Sequence, residues 1–223
     1  MIQAVIFDLD GVLVSTDALH YRAWKRLADE LGIIGFTEKD AQRQRGVSRM
    51  ASLEVLLEAC AVSYDEDEKI ALANRKNEYY VKMLADVDGS AVLPGARETV
   101  AYLKTRGIRL AVGSASKNAP LILEKTGLAP HLDAVSCGLD VTRSKPDPQV
   151  FLVAAEKLGV DPAYCLVVED AHAGIEAAKN GGMYAFAVGA AKDCALADWC
   201  AADMRELLAC LPAVLSETKE VPS

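Results

Sequence analysis

Short apolar runs rich in strand-forming residues recur along the chain and predict five β-strands. The runs lie at residues 2–7, 108–113, 133–136, 165–169 and 184–188. Segments of helical length separate the later runs, and proline, glycine or polar cap residues open or close each segment. Because strand and helix alternate, the pattern predicts a Rossmann-like α/β fold with a parallel sheet and helices on both faces.

The first connection breaks this alternation. Its periodicity indicates helices only, near residues 17–31, 48–60 and 66–86. A connection of this length without a strand is typical of an inserted helical unit.

We therefore expect a helical cap domain at residues 16–92, inserted into an α/β core domain formed by residues 1–15 and 93–223. The two crossings between the domains fall near residues 14–17 and 88–95. Both contain small and turn-forming residues, which suit hinges.

Charge and hydropathy restrict the class of protein. Lys plus Arg total 24 and Asp plus Glu total 32, so the formal charge is −8, a balance that argues against a nucleic-acid partner. No stretch approaches the roughly 20 apolar residues of a membrane span, and residues 1–14 carry no cleavage pattern. We expect a cytoplasmic protein with reduced, scattered cysteines and no membrane partner.

From residue 215 onwards the chain turns polar, which is typical of a frayed terminus.

Carboxylates follow two of the predicted strands. Asp8 and Asp10 end the first run on the same side of the extended chain, and Gly11 then allows a tight turn. Glu169 and Asp170 end the fourth run. Carboxyl ends of parallel strands open into one crevice, and clustered carboxylates there require a compensating cation.

A hydroxyl and a lysine follow two further segments. Ser114 and the amides after it suit phosphate oxygens, although helix capping is the commoner role of such a serine. Lys145, in "RSKPDP", would by itself be interpreted as a solvated surface charge. Together with four carboxylates, these groups predict a Mg²⁺ site and phosphoryl transfer.

The types of side chain in the crevice indicate which group is the nucleophile. The crevice contains no cysteine, no Ser–His pair and no Walker-type lysine loop, so a carboxylate forming an aspartyl-phosphate is the natural choice. A second aspartate two residues further on is close enough to move a proton to or from the reacting hydroxyl.

The insert carries its own basic stretch, "RQRGVSR", which places Arg43, Arg45 and Arg49 within seven residues. Guanidinium groups suit bidentate phosphate contacts, but a solvated basic face explains the stretch equally well. His20 and Trp24 lie one helical turn apart and share a face, where a lone histidine more often packs or caps than takes part in chemistry.

The stretches "FDLDGV", "GSAS", "SKPDP" and "VVEDAHAG", in this order and with a helical insert after the first, resemble the haloacid dehalogenase-like phosphotransferase superfamily. Within it, "HYRAWK", "RGVSR", "NRKNEYYVKM" and "SASKNAP" are most similar to the β-phosphoglucomutase branch. The resemblance implies interconversion of β-D-glucose 1-phosphate and glucose 6-phosphate through β-glucose 1,6-bisphosphate. These sugar phosphates would be its partners. We expect a monomer, because no heptad pattern is present.

The resemblance also implies roles for the residues at the strand ends. Asp8 would be the phosphorylated nucleophile and Asp10 the general acid and base. Mg²⁺ would bind Asp8, the Asp10 backbone carbonyl and Asp170, with Glu169 in or beside this set. Ser114 and Lys145 would hold the transferring phosphoryl group.

A larger set of residues would bind the substrate by the same resemblance. Arg49 would grip the distal phosphate, and His20 and Lys76 would couple cap closure to protonation of Asp10. The full set is His20, Trp24, Arg45, Gly46, Val47, Ser48, Arg49, Ser52, Lys76, Ser114, Ala115, Ser116, Lys117, Asn118 and Lys145.

Three positions depart from the pattern of that branch: Arg45 replaces an expected lysine, Ala171 a serine and His172 a glutamine. None removes a catalytic group, but sugar preference and closure stay open. Two alternatives also stay open, a sugar phosphatase of the same superfamily and a non-catalytic sugar-phosphate sensor. The intact strand-end residues argue against the sensor.

Overall fold

Six strands form one parallel sheet in the computed structural model, which describes residues 1–60 and 62–217. Their order across the sheet is β3-β2-β1-β4-β5-β6. The strands are β1 (Ala4–Phe7), β2 (Arg109–Gly113), β3 (Ala134–Ser136), β4 (Cys165–Glu169), β5 (Tyr184–Val188) and β6 (Trp199–Ala201). The five predicted strands are confirmed. The sequence pattern missed β6, whose residues Trp-Cys-Ala include no β-branched residue, unlike the equally short β3.

Alternate side chains of the strands enter two apolar clusters, one on each face of the sheet. Val5 and Phe7 of β1 pack into the cluster that also holds residues of α5 (Ala96–Lys104), α6 (Ala119–Lys125) and α9 (Met204–Glu217). Ala4 and Ile6 pack on the opposite face. The helices there are α7 (Gln149–Leu158) and α8 (His172–Asn180). Both faces are therefore buried under helices, as the alternation predicts.

Helix α9 changes one expectation about the end of the chain. It was not predicted, and it continues to Glu217, three residues into the segment expected to be frayed from residue 215. Leu207, Leu211 and Val214 bury one side of the helix against the sheet, which explains its order. Residues 218–223 of the expected tail lie outside the described residues.

The long first connection folds into four helices with no strand among the described residues between 17 and 84. They are α1 (Asp17–Glu30), α2 (Glu38–Arg43), α3 (Arg49–Leu57) and α4 (Glu66–Leu84). The three predicted helices are confirmed with shorter ends. Helix α2 was missed, because six residues span less than two turns. None of the helices in the described parts of the chain has the length and apolar character to cross a membrane.

The insert has its own apolar cluster, and its base is anchored in the core. Trp24, Leu27 and Leu56 pack within the insert. Tyr80 and Leu84, at the end of α4, instead join the cluster under the sheet. The cap therefore packs on its own while its lower end shares apolar contacts with the core.

The two crossings run side by side. Val14 and Val92 form an antiparallel bridge, and Ser15 N donates to the Ala91 carbonyl at 2.9 Å. Leu93 N donates to the Leu13 carbonyl at 2.9 Å. The cap thus joins the core through one narrow double connection. The boundaries at residues 16 and 92 stay a prediction.

Candidate active site

A cavity of about 870 Å³ lies between the carboxyl edge of the sheet and the cap. All but one of the predicted site residues line it, and Glu169 is fully buried behind it. Those lining the cavity are Asp8, Asp10, His20, Trp24, Arg45, Gly46, Val47, Ser48, Arg49, Ser52, Lys76, Ser114, Ala115, Ser116, Lys117, Asn118, Lys145 and Asp170. The fold therefore brings strand-end residues and cap residues to one cleft.

The Lys145 ammonium group lies at the centre of the buried charges. Its Nζ is 2.5 Å from Asp8 Oδ1 and also donates to Glu169 Oε1. Burial by itself would lower the pKa of Lys145, but the two carboxylates raise it above its ordinary value. Lys145 is therefore a buried, charged group and not a solvated surface lysine.

Three carboxylates beside this lysine form a compact set. Asp8, Glu169 and Asp170 each present an oxygen, and these oxygens lie within 4.8 Å of one another. Burial, followed by repulsion from neighbouring carboxylates, raises the pKa of Asp170 to about 8. A divalent cation would relieve this repulsion, and hard carboxylate oxygens are ligands that Mg²⁺ prefers. The donor set therefore fits the expected metal.

Two glycines allow the carboxylates to approach the backbone. A Cβ at Gly11 would lie 2.1 Å from Asp170 Oδ2, and the φ of +82° at Gly11 also disfavours other residues. A Cβ at Gly174 would lie 1.9 Å from Glu169 Oε1. Glu169 Oε2 in turn accepts hydrogen bonds from the backbone N–H groups of Asp170 and Ala171 at 3.0 Å. These contacts fix the orientation of Glu169.

The Asp10 carboxylate is not part of the compact set. It accepts a hydrogen bond from the Thr16 hydroxyl and lies 4.0 Å from His20 Nε2. Burial raises the pKa of Asp10 to about 7, although the Thr16 hydrogen bond opposes the rise. A carboxyl group with such a pKa suits proton transfer near neutral pH. Metal binding through its backbone carbonyl stays a prediction.

The segment after β2 arranges hydroxyl and amide groups at the cleft. Ser114 Oγ accepts from Ser116 N at 3.1 Å, and Ser116 Oγ accepts from Asn118 N at 3.2 Å. The Ser114 hydroxyl hydrogen stays available as a donor. Asn118 Nδ2 also donates to Asn77 Oδ1 of α4 at 2.9 Å, so core and cap meet directly here.

The three arginines of the basic stretch have different surroundings. Arg43 pairs with Glu58 at 2.7 Å, and Arg45 pairs with Asp17 at 2.6 Å. Arg49 lines the cavity and is partly buried, and its guanidinium forms no hydrogen bond or ion pair with another residue in the described ranges. Of the three, Arg49 is therefore the guanidinium available for a ligand.

Lys76 occupies a largely apolar part of the cap. Its Nζ forms a hydrogen bond of 2.9 Å with His20 Nδ1 and lies 4.6 Å from the centroid of the Trp24 ring. Burial lowers the pKa of Lys76 to about 7 and that of His20 well below its usual 6.5. Burial therefore favours the neutral form of both side chains, and the donor in their hydrogen bond depends on the protonation of Lys76 and the tautomer of His20.

Two predicted substrate residues use their polar atoms within α3. Ser48 caps this helix by accepting from Ala51 N at 3.2 Å, and the Ser52 hydroxyl donates to the Ser48 carbonyl at 3.0 Å. Both serines line the cavity, but these contacts also give them a structural role.

Sequence reasoning did not single out several residues at or behind the cleft. Asp17 and Asn77 line it, whereas Thr16 and Tyr80 are fully buried and bond each other beside Asp10. Thr16 and Asp17 fall in the stretch interpreted as a hinge, and Asp17 also begins the predicted helix at residues 17–31. Tyr80 lies one helical turn after Lys76, so their spacing was an available signal.

Comparison with known proteins agrees with this fold. The family profile described as haloacid dehalogenase-like hydrolase matches residues 2–182. The chain therefore belongs to the haloacid dehalogenase-like hydrolase family, as the sequence motifs indicate.

Individual relatives include both mutases and phosphatases. A β-phosphoglucomutase of Bacillus subtilis is 39% identical over 189 residues, which cover 84% of this chain and 83% of the relative. A phosphorylated carbohydrates phosphatase of Thermotoga maritima is 32% identical over 184 residues, covering 81% and 82%. The crystal structure of a β-phosphoglucomutase from Clostridium difficile superposes with a TM-score of 0.88 at 35% identity, covering 93% of each chain.

The buried position of Lys76 predicts a pH dependence of stability. In the unfolded chain its pKa is near 10.5, and in the fold it is about 7. The unfolded state therefore binds more protons between these values, so this residue makes the free energy of unfolding rise with pH there. We expect Lys76→Met to be more stable than the wild type at pH 7. This advantage should shrink by about 1.4 kcal/mol per pH unit towards pH 9.5.

Urea unfolding at several pH values measures this difference. Lys82→Met, on the exposed side of the same helix, is the matched control and should follow the wild type at every pH. A Lys76→Met advantage that does not vary between pH 7 and 9.5 would contradict the assignment.

Proposed function

We propose that this protein is a β-phosphoglucomutase that interconverts β-D-glucose 1-phosphate and glucose 6-phosphate. The observation that carries the proposal is the free Arg49 guanidinium, which lines the same cavity as Asp8 and Lys145. A site with phosphate-binding groups in both core and cap suits a substrate with two phosphate positions. The similarity to the two β-phosphoglucomutases supports this choice.

In the proposed first half-reaction, an Asp8 oxygen attacks the phosphorus of the bisphosphate, and the bond from phosphorus to the sugar oxygen breaks. Asp10 gives its proton to that leaving oxygen. When Asp8 takes the phosphoryl group from C1, the product glucose 6-phosphate leaves and β-glucose 1-phosphate binds in its place. In the second half-reaction, the 6-hydroxyl of this new sugar gives its proton to Asp10 and attacks the phosphorus on Asp8, which frees Asp8 and forms the bisphosphate again. Lys145 and Ser114 orient the phosphoryl group throughout.

The residues that would hold the metal are Asp8, Glu169 and Asp170, with the Asp10 carbonyl as a further donor. The family uses a metal ion, typically Mg²⁺. When bound, it would supply positive charge that offsets the negative charge of the phosphoryl oxygens.

The cap has a second role in this proposal. We propose that residues 16–92 close over the cleft about the double connection near residues 14–17 and 88–92, holding the sugar hydroxyl in place and excluding water. The hydrogen bond between Asn77 and Asn118 spans cap and core on the cavity wall. The cytoplasmic location and the monomeric state stay predictions.

A sugar-phosphate phosphatase is the second candidate, because the Thermotoga maritima relative is a phosphatase of similar coverage. Phosphorus NMR of the purified protein with Mg²⁺, β-glucose 1-phosphate and a trace of the bisphosphate separates the two. We expect glucose 6-phosphate to accumulate with little free phosphate. Steady release of inorganic phosphate, with no glucose 6-phosphate, would instead identify the phosphatase.

Substitution of the two aspartates tests their roles. Asp8→Asn should abolish phosphoryl transfer, because the amide is a poor nucleophile. Asp10→Asn should slow transfer by about 10²- to 10⁴-fold, because it removes the proton donor and acceptor. Steady-state rates, with circular dichroism to verify folding, measure both effects. Near-normal turnover of folded Asp8→Asn would refute the assignment of the nucleophile.

Substitution of Arg49 tests the second phosphate site. Arg49→Ala should lower kcat/KM for the bisphosphate by about 10- to 100-fold, because charge-assisted hydrogen bonds to phosphate are lost. Hydrolysis of a small aryl phosphate, which lacks a second phosphate, should change much less. Arg43→Ala removes a guanidinium that pairs with Glu58 and serves as the control. Equal losses on both substrates would count against the distal-phosphate role.

A further inference from the structure

Arg45 connects two carboxylates that belong to different parts of the molecule. Its Nη2 lies 2.6 Å from Asp17 Oδ2, at the start of α1 in the cap. Its Nη1 lies 3.9 Å from Asp170 Oδ2, after strand β4 in the core. The Arg45 guanidinium therefore lies between Asp17, at the start of the cap, and Asp170, one of the three clustered carboxylates of the core.

The loop that carries Arg45 is held against the same part of the core. Gly46 has a φ of +71°, and a Cβ at Gly46 would lie 3.1 Å from the Ala171 Cβ. Ala171 directly follows Asp170. The backbone of the cap loop thus packs beside the Asp170 segment. This backbone contact, as well as the length of the Arg45 side chain, places the guanidinium near Asp170.

Most of the charged groups around the Asp170 carboxylate are other carboxylates, which are also negative. Glu169 and Asp8 each present a carboxylate oxygen within 4.8 Å of the one that Asp170 presents, whereas the Arg45 guanidinium brings a positive charge to Asp170. Lys145 bonds Asp8 and Glu169. Within the described ranges, Arg45 is the one cationic side chain with a nitrogen within 4.0 Å of a carboxylate oxygen of Asp170.

We propose that Arg45 is a positioning residue that seats the cap loop on Asp170, and that its charge weakens divalent-cation binding at the Asp8–Glu169–Asp170 cluster. The inference rests on the metal site of the proposed function. The guanidinium and a divalent ion are drawn to the same carboxylate, and two cations close to it repel each other. Because such coupling is reciprocal, a bound ion also weakens the contact between cap loop and core.

Cation binding to the intact protein tests the proposal without any measurement of catalysis. The affinity for Mn²⁺, used as the probe, is measured from the electron paramagnetic resonance signal of the free ion, and titration calorimetry gives the affinity for Mg²⁺. We expect Arg45→Gln to bind both ions about three- to tenfold more tightly than the wild type, because it removes one unit of positive charge near the site.

Arg43→Gln is the matched control. It makes the same charge change two residues away, at a guanidinium that pairs with Glu58 and not with the cluster. It should bind Mn²⁺ within twofold of the wild type. Arg45→Lys keeps the charge and should also stay within twofold. Thermal unfolding verifies that each variant is folded.

The outcomes separate this inference from the metal site itself. Arg45→Gln affinities equal to those of Arg43→Gln, or weaker than wild type, would overturn the role of Arg45. A large change in Arg45→Lys would overturn it as well. If the wild type and Asp170→Asn bind Mn²⁺ equally weakly, the proposed metal site is wrong. The proposed role of Arg45 is then wrong as well.

Discussion

The charge compensation of Asp8 and Glu169 by Lys145 is the constraint on which the rest of the site depends. Strands β1 and β4 are parallel neighbours, with Phe7 opposite Val168, so the residues after them meet at one edge of the sheet. A fold that places two buried carboxylates so close must supply a cation or protonate them. Lys145, from a separate segment, supplies one charge. Asp170 lies outside its hydrogen bonds, which leaves negative charge for a metal ion to offset.

The three arginines in the basic stretch of the cap differ in whether a carboxylate neutralises them. Arg43 is neutralised by Glu58 at the surface, and Arg45 is held by Asp17 beside the acidic cluster. Arg49 has no such partner among the described residues and is partly buried beside the cavity. A buried unpaired guanidinium is costly unless a ligand binds it, because burial disfavours the charged form. The seven-residue stretch therefore contains one group suited to an anion and two with structural partners.

The sequence predicted most strands of the core and most of the residues proposed for the cleft. It predicted fewer of the side-chain contacts that these residues make. Strands such as β1 and β4 are buried on both faces, so they appear as continuous apolar runs, and parallel topology places their ends together. Helix α2 was missed because six residues are too few to show a helical period, and strand β6 was missed because its Trp-Cys-Ala run includes no β-branched residue. The pairs Arg45–Asp17 and Asn77–Asn118 were also missed. They depend on how the cap packs against the core, and hydrophobic periodicity holds no information about that packing.

In the proposed mechanism, the choice between a sugar acceptor and water depends on the cap, because the groups proposed to activate the phosphoryl group all lie in the core. The proposed roles of Asp8, Lys145 and Glu169 are the same whichever acceptor attacks. A second phosphate bound at Arg49 would hold the sugar hydroxyl near Asp8, and water cannot gain from that contact. The same core can therefore support either activity. Transfer to a sugar is favoured when the cap binds the sugar acceptor through contacts that a water molecule cannot make. The guanidinium of Arg49, which has no ion-pair partner among residues 1–60 and 62–217, is the group for which we propose this role.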